Sequence, residues 1–148
     1  MTYLPTLAVL ALSVLFGIYQ LANFPPTEEI ETYSVLSEAA VTFLALMGLF
    51  LVQKLRPFKE IYAPFMVGFS ALFLSLLTDV LDEFLEQPDL ITTVFEDIFQ
   101  VAGYVLIVFG LWRWTTYNER MIDELHELAT TDHLTGAYNR RRFGDALR

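Results

Sequence analysis

Apolar residues in this chain gather into four runs, and each is about long enough to cross the hydrocarbon core of a bilayer as a helix. The first runs from Leu4 to Phe24, where Pro25-Pro26 stops it and Thr27-Glu28-Glu29-Ile30-Glu31 forms a short acidic loop. The second runs from Tyr33 to Val52 and is followed by a loop carrying Lys54, Arg56, Pro57 and Lys59. The third covers Ile61 to Leu81, and Asp82-Glu83-Phe84-Leu85-Glu86-Gln87-Pro88-Asp89 follows it. The fourth starts near Ile91 and reaches Trp112 to Trp114. A backbone in lipid must satisfy its own hydrogen bonds, so the four spans are predicted to be helices. Short loops make successive helices antiparallel neighbours. The predicted fold is an all-α membrane protein, a four-helix up-down transmembrane bundle. Ala39, Ala40, Ala45, Gly48, Gly68, Ser70, Ala71, Gly103 and Gly110 allow close helix packing in such a bundle.

Composition agrees with the pattern, since hydrophobic residues make up 55% of the 148 positions. The first run lacks a basic leader and a small-residue cleavage site, so it reads as an uncleaved span, not a signal peptide. Cysteine is absent, which excludes disulfides and thiolate metal sites. A net charge of -9 argues against nucleic acid as a partner. The placement of charge carries more than its sum. Lys and Arg in short loops stay on the cytoplasmic side. The first and third loops have none, whereas Lys54, Arg56 and Lys59 fill the second, and Arg113 and Arg120 flank the end of the fourth span. All of these fall on one side if both termini are cytoplasmic. The expected location is a bacterial inner membrane, with the lipid bilayer as the first partner.

Counting depth at about 1.5 Å per residue puts Gln20, Glu38, Asp79 and Asp97 in one layer, roughly 24 to 28 Å from the inner ends of their helices. Glu96 and Gln100 adjoin the layer. Asp79, Asp82, Glu83 and Glu86 are spaced to share one helix face. No Lys or Arg is available at that end to neutralise them, so the acids must protonate, stay hydrated or capture a cation. Three readings stay open. The layer is a solvated outer mouth; or it is a site for a cation; or it is a proton sensor. A hard cation at Glu38, Asp79 and Asp97 is one form of the second reading, because oxygen ligands without His or Cys suit Ca²⁺, Mg²⁺ or Mn²⁺. An organic cation held by acids and by Tyr19, Tyr33, Phe95 or Phe99 is another.

No Gly or Pro interrupts the chain from Trp114 to Thr131, so the fourth helix is expected to leave the membrane. Leu111, Trp114, Asn118, Met121, Leu125 and Leu128 alternate at three- and four-residue spacing, a heptad stripe of about two and a half repeats. Asn118 falls at an a position, where a buried Asn fixes register and favours a two-stranded coil. A cytoplasmic coiled-coil connector and a homodimer are the expectation. The alternative is an amphipathic helix lying on its own domain. His126-Glu127-Leu128 slightly resembles the phosphoacceptor box of sensor histidine kinases, but Ala129-Thr130-Thr131-Asp132 departs from its continuation. His133 is isolated and is given no role.

Gly136 is expected to break the helix, and Asn139 can cap a new one. Beyond that plain reading, Thr131-Asp132-His133-Leu134-Thr135-Gly136, followed by Asn139-Arg140-Arg141-Arg142-Phe143, resembles the opening of a GGDEF domain, T-D-x-L-T-G-L-x-N-R-R-x-F. Ala137 stands where Leu is usual. The resemblance covers about 20 residues of spacing that is continuous and specific, at the scale of a supersecondary motif. It implies the start of an α/β diguanylate cyclase domain, truncated in this chain. Such enzymes join two GTP into cyclic di-GMP with Mg²⁺ or Mn²⁺, one GTP per domain, so dimerisation controls them. The family's metal and guanine contacts lie downstream of this motif. Asp132, Leu134, Gly136, Asn139, Arg140, Arg141 and Phe143 therefore match structural positions, and no residue here is assigned a catalytic role.

Three segments are expected: a transmembrane sensor over 1–114, a helical connector over 115–130 and the start of a GGDEF domain over 131–148. The expected function is a sensory module that detects an unknown small ligand or cation at the outer face and controls the cyclase. The competing readings are a passive anchor without a ligand site and a histidine kinase fragment. A transporter is disfavoured by small size and the lack of repeat halves.

Overall fold

The computed structural model describes residues 3–130, with side chains from 3 to 127. Among them the chain is helical, in the order α1 (Leu4–Asn23), α2 (Thr32–Val52), a 3₁₀ turn (Gln53–Leu55), α3 (Lys59–Asp82), α4 (Asp89–Ile91), a π-helical segment (Thr92–Ile98) and α5 (Phe99–Thr130). Four helical stretches are long and apolar enough to cross a membrane: Leu4–Asn23, Thr32–Leu55, Lys59–Asp82 and Asp89–Glu127. The first three lie within a few residues of the expected spans, and the fourth starts within a few residues of Ile91 and continues past Trp114 to Glu127.

Local chemistry sets the helix ends. Phe24 precedes Pro25, and a residue before proline is driven toward extended backbone. It sits at φ -114°, ψ 142° and ends α1. Pro88 at φ -68°, ψ 143° likewise precedes α4. Phe58 opens α3 by accepting the backbone N–H bonds of Ile61 and Tyr62 through its carbonyl, at 3.0 and 2.8 Å. The two acidic loops clasp each other. The Thr27 amide donates to the Phe84 carbonyl at 3.0 Å and the Glu86 amide to the Pro25 carbonyl at 2.9 Å. A single antiparallel bridge, Pro26 to Leu85, sits between them.

Packing by the first compact unit, Met1–Leu111, depends on small residues. A Cβ on Gly68 would sit 3.0 Å from the Gly103 carbonyl oxygen, and one on Gly103 would sit 3.0 Å from that of Gly68. The backbones of α3 and α5 thus touch at a glycine pair, the arrangement small residues permit between membrane helices. Gly48 admits the ring of Phe69 from α3 onto α2, and Gly110 lies under the Phe65 ring. The core is centred on α3, with Ile61, Phe65, Leu72, Phe73 and Leu76 buried, together with Ala45, Leu49 and Val52 of α2. Large apolar side chains such as Leu7, Leu15, Leu36, Leu44, Val101 and Val108 are exposed. Such a helix surface is one that lipid can cover.

The second unit, Trp112–Arg148, is described as far as Thr130. There α5 continues without interruption. The hydroxyls of Thr115 and Thr116 both donate to the Trp112 carbonyl, at 2.8 and 3.0 Å. In the heptad stripe, Met121 and Leu125 are exposed, whereas Trp114 and Asn118 are half-buried. The side chain of Leu128, and the residues from Thr131 to Phe143 that resemble the GGDEF opening, lie outside the described residues.

Candidate functional site

Buried polar residues occur on α1, the 3₁₀ turn and α3, and on α1 they recur at regular intervals. Its buried residues are Thr6, Ser13 and Gln20, seven apart and therefore on one face. The stripe meets two different environments. At the end nearest the basic loop, Thr6 is fully buried and donates to the Leu49 carbonyl at 3.3 Å. Gln53 reaches it there: its Nε2 donates to Thr6 Oγ1 at 2.8 Å and approaches Met66 Sδ at 3.2 Å. Tyr62 donates its hydroxyl to Gln53 Oε1 at 3.3 Å. This network ties α1, α2 and α3 together with its polar groups satisfied. Ser13, further along, bonds the Val9 carbonyl of its own helix at 2.8 Å.

At the opposite end, Gln20 is 0% exposed, and neither its Nε2 nor its Oε1 has a hydrogen-bond partner. Three further buried oxygens near this end of the helices are also unpartnered: Glu38 Oε2, Gln87 Oε1 and Glu96 Oε1. Gln87 is held by its other atom, Nε2, which donates to the Thr78 carbonyl at 3.0 Å.

Three elements bring the expected acids together. Glu38 of α2 lies within electrostatic reach of Glu83, Asp79 and Asp82. Asp79 faces Asp82 and Asp97. Glu96 faces Asp79, Asp82, Asp97 and Glu38. The α2–α3 side is fixed one turn inward by Thr42, whose single hydroxyl proton is within reach of the Glu38 carbonyl at 2.8 Å and the Leu76 carbonyl at 3.0 Å. The other side is fixed by Ser75, which donates to the Glu96 carbonyl at 2.9 Å. That bond docks the π-helical segment on α3. Next to Glu96, Phe95 lies 4.6 Å from Phe16 of α1 and 5.0 Å from Phe99, ring centre to ring centre.

Not every expected feature sits as the spacing implied. The proposed helix face of Asp79, Asp82, Glu83 and Glu86 is broken, because α3 ends at Asp82 and Glu83 is its cap. Glu86 belongs to the loop clasp, where its amide donates to the Pro25 carbonyl, and it is exposed. Asp82 and Asp97 are exposed, and Gln100 is half-buried in the first turn of α5. Tyr33 is 80% exposed, and Tyr19 meets Phe24 edge-on. Phe95 and Phe99 flank Glu96 in the chain and pack on each other. Among the described residues, no three His, Cys, Asp or Glu side chains converge in a way that could hold a metal ion.

Sequence reasoning missed the Gln53 network and the π-helical segment. Gln53 stands directly before Lys54 and reads as part of a wet loop, although the seven-residue repeat in α1 was a usable signal of an inward polar face. The π-helix has no comparable sequence signature, and its neighbourhood carries two of the acids. Widened turns of this kind are frequent at functional sites.

No protein-family model matches this chain, and neither does any curated protein or solved structure.

Proposed function

We propose that the chain is a transmembrane sensory module of a bacterial inner membrane, with both termini cytoplasmic and the acid-rich helix ends outside. Its output is a GGDEF-type diguanylate cyclase, controlled through pairing of the α5 stripe between two copies. GTP and Mg²⁺ or Mn²⁺ belong to that catalytic domain, and no residue of this chain is assigned to them. The orientation rests on Lys54, Arg56, Lys59, Arg113 and Arg120 falling on one side. The output rests on the resemblance of Thr131 to Phe143 to the family's opening motif.

One observation carries the sensory part: buried polar atoms of Gln20, Glu38, Gln87 and Glu96 without partners. Leaving such a group unpaired costs about 1–3 kcal/mol each. A passive anchor has no use for that cost, whereas a site that a stimulus completes does. The test joins this chain to a complete cyclase domain and measures cyclic di-GMP while the outer ionic medium is varied. Glu38→Gln, Asp79→Asn and Asp97→Asn are expected to alter output or its response. An unchanged response in all three leaves the anchor reading in place.

A further inference from the structure

We infer that the acid-rich end of the bundle is a binding site for a small protonated amine, one with several N–H donors and no need of metal-like coordination. The inference rests on reading this end as the sensory site, and it names the ligand.

The argument begins with Gln20. It lies on the only inward face that α1 offers, the Thr6–Ser13–Gln20 stripe, and it is fully buried. Its Thr6 counterpart at the other end finds partners on α2 and the adjoining turn, while Gln20 has none for either amide atom. Phe16, one turn earlier on α1, packs on Phe95, the residue before Glu96. Residues four apart share a helix face, so Gln20 is directed to the side of α1 that carries the contact with the π-helical segment.

Next comes the chemistry of what is left unmade. The unpartnered buried atoms at this end are Gln20 Oε1, Glu38 Oε2, Gln87 Oε1 and Glu96 Oε1, against the single nitrogen Gln20 Nε2. The set is rich in acceptors and poor in donors. At the same end the carboxylates of Glu38, Asp79, Asp82, Glu83, Glu96 and Asp97 are linked to one another by electrostatic interactions, and neither loop there contains Lys or Arg. A complementary occupant is cationic and donates several hydrogen bonds. An alkylammonium group has three donors and no acceptor. Divalent metals fit less well, since no three ligating side chains converge among the described residues. Phe95 and Phe99 add aromatic surface beside Glu96, suited to the alkyl part or to cation–π contact.

The experiment uses the full chain purified in detergent, with no cyclase attached, so its failure is separable from failure of the signalling reading. Thermal unfolding is followed during titration with methylammonium and with 1,4-diammoniobutane. Potassium at equal ionic strength, Ca²⁺, and tetramethylammonium, which has charge but no N–H, are the controls. Ligands that bind the folded state raise Tm. A saturable rise in Tm is expected with the two N–H-bearing cations and not with the controls. Gln20→Leu is expected to abolish the rise without lowering the starting Tm, because it also removes two unpaired buried atoms. Glu38→Gln and Glu96→Gln, which keep shape, are expected to weaken apparent affinity at least tenfold. The inference is overturned by an equal rise with tetramethylammonium or Ca²⁺, by no saturable rise with either amine, or by a full response in Glu38→Gln and Glu96→Gln.

Discussion

Single residues in this bundle differ sharply in what they contribute, and two contacts made with α3 allow the comparison. Gln53 makes bonds to Thr6, Met66 and Tyr62, which looks like the strongest tie in the molecule. Yet polar ties between membrane helices average only about 0.6 kcal/mol, since the separated helices find other partners. Gly103, by contrast, has no side chain, and a Cβ there would meet the Gly68 carbonyl and the Leu72 amide at 3.0 Å. Nothing in backbone can step aside. Overpacking of this kind costs about 1–3 kcal/mol. Gly103→Leu is therefore expected to lower Tm in detergent by more than Gln53→Leu does. A larger loss for Gln53→Leu contradicts this ranking and makes the polar network the main clamp. Gly68 and Gly103 were recognisable in the sequence as small residues, but their mutual contact was not, because it depends on the relative rotation of two helices.

At the scale of the element, the π-helical segment determines how the acids relate to the helix that follows. Thr92–Ile98 is wound wider than an α-helix, and Glu96 is docked on α3 through Ser75 while α5 is docked through Gly103. The stretch between those two anchors sets the angular offset of Glu96 from the rest of α5. Removing one residue lets the widened turn rewind as ordinary α-helix, which changes how Glu96 is presented within it. Ile98 is 55% exposed, so its deletion gives up little burial. Deletion of Ile98 is expected to leave helicity by circular dichroism unchanged and to abolish the Tm response to methylammonium. A retained response means that the acids do not depend on the widened turn. Legibility from sequence differed by element. The four apolar helices were evident from hydropathy, since lipid enforces a simple length and composition rule. Counting depth along straight helices set Gln20, Glu38, Asp79 and Asp97 at one level, and the structure puts Asp79 within electrostatic reach of both Glu38 and Asp97. The loop clasp at Pro25 to Glu86 was not legible, since it depends on pairing between segments distant in the chain.

For the whole molecule, everything proposed about sensing depends on which end of the bundle faces outward. The basic residues decide this in principle, because short loops with Lys and Arg are retained in the cytoplasm. The natural chain has no cysteine, so single introduced thiols report position without background. Glu29 lies in the loop without basic residues and Pro57 in the loop with them, and both are exposed. Pro57→Cys keeps Lys54, Arg56 and Lys59, so the substitution does not disturb the signal being tested. A membrane-impermeant thiol reagent applied to intact spheroplasts is expected to label Glu29→Cys and to spare Pro57→Cys until the membrane is opened. The reverse labelling turns the bundle over. The buried amide of Gln20 and the acid-rich helix ends then face the cytoplasm, where millimolar metal ions and amines are permanent, and a sensor of the outer medium at this site is ruled out. Labelling of both sites in intact cells is equally decisive, because it means that the chain does not hold one orientation.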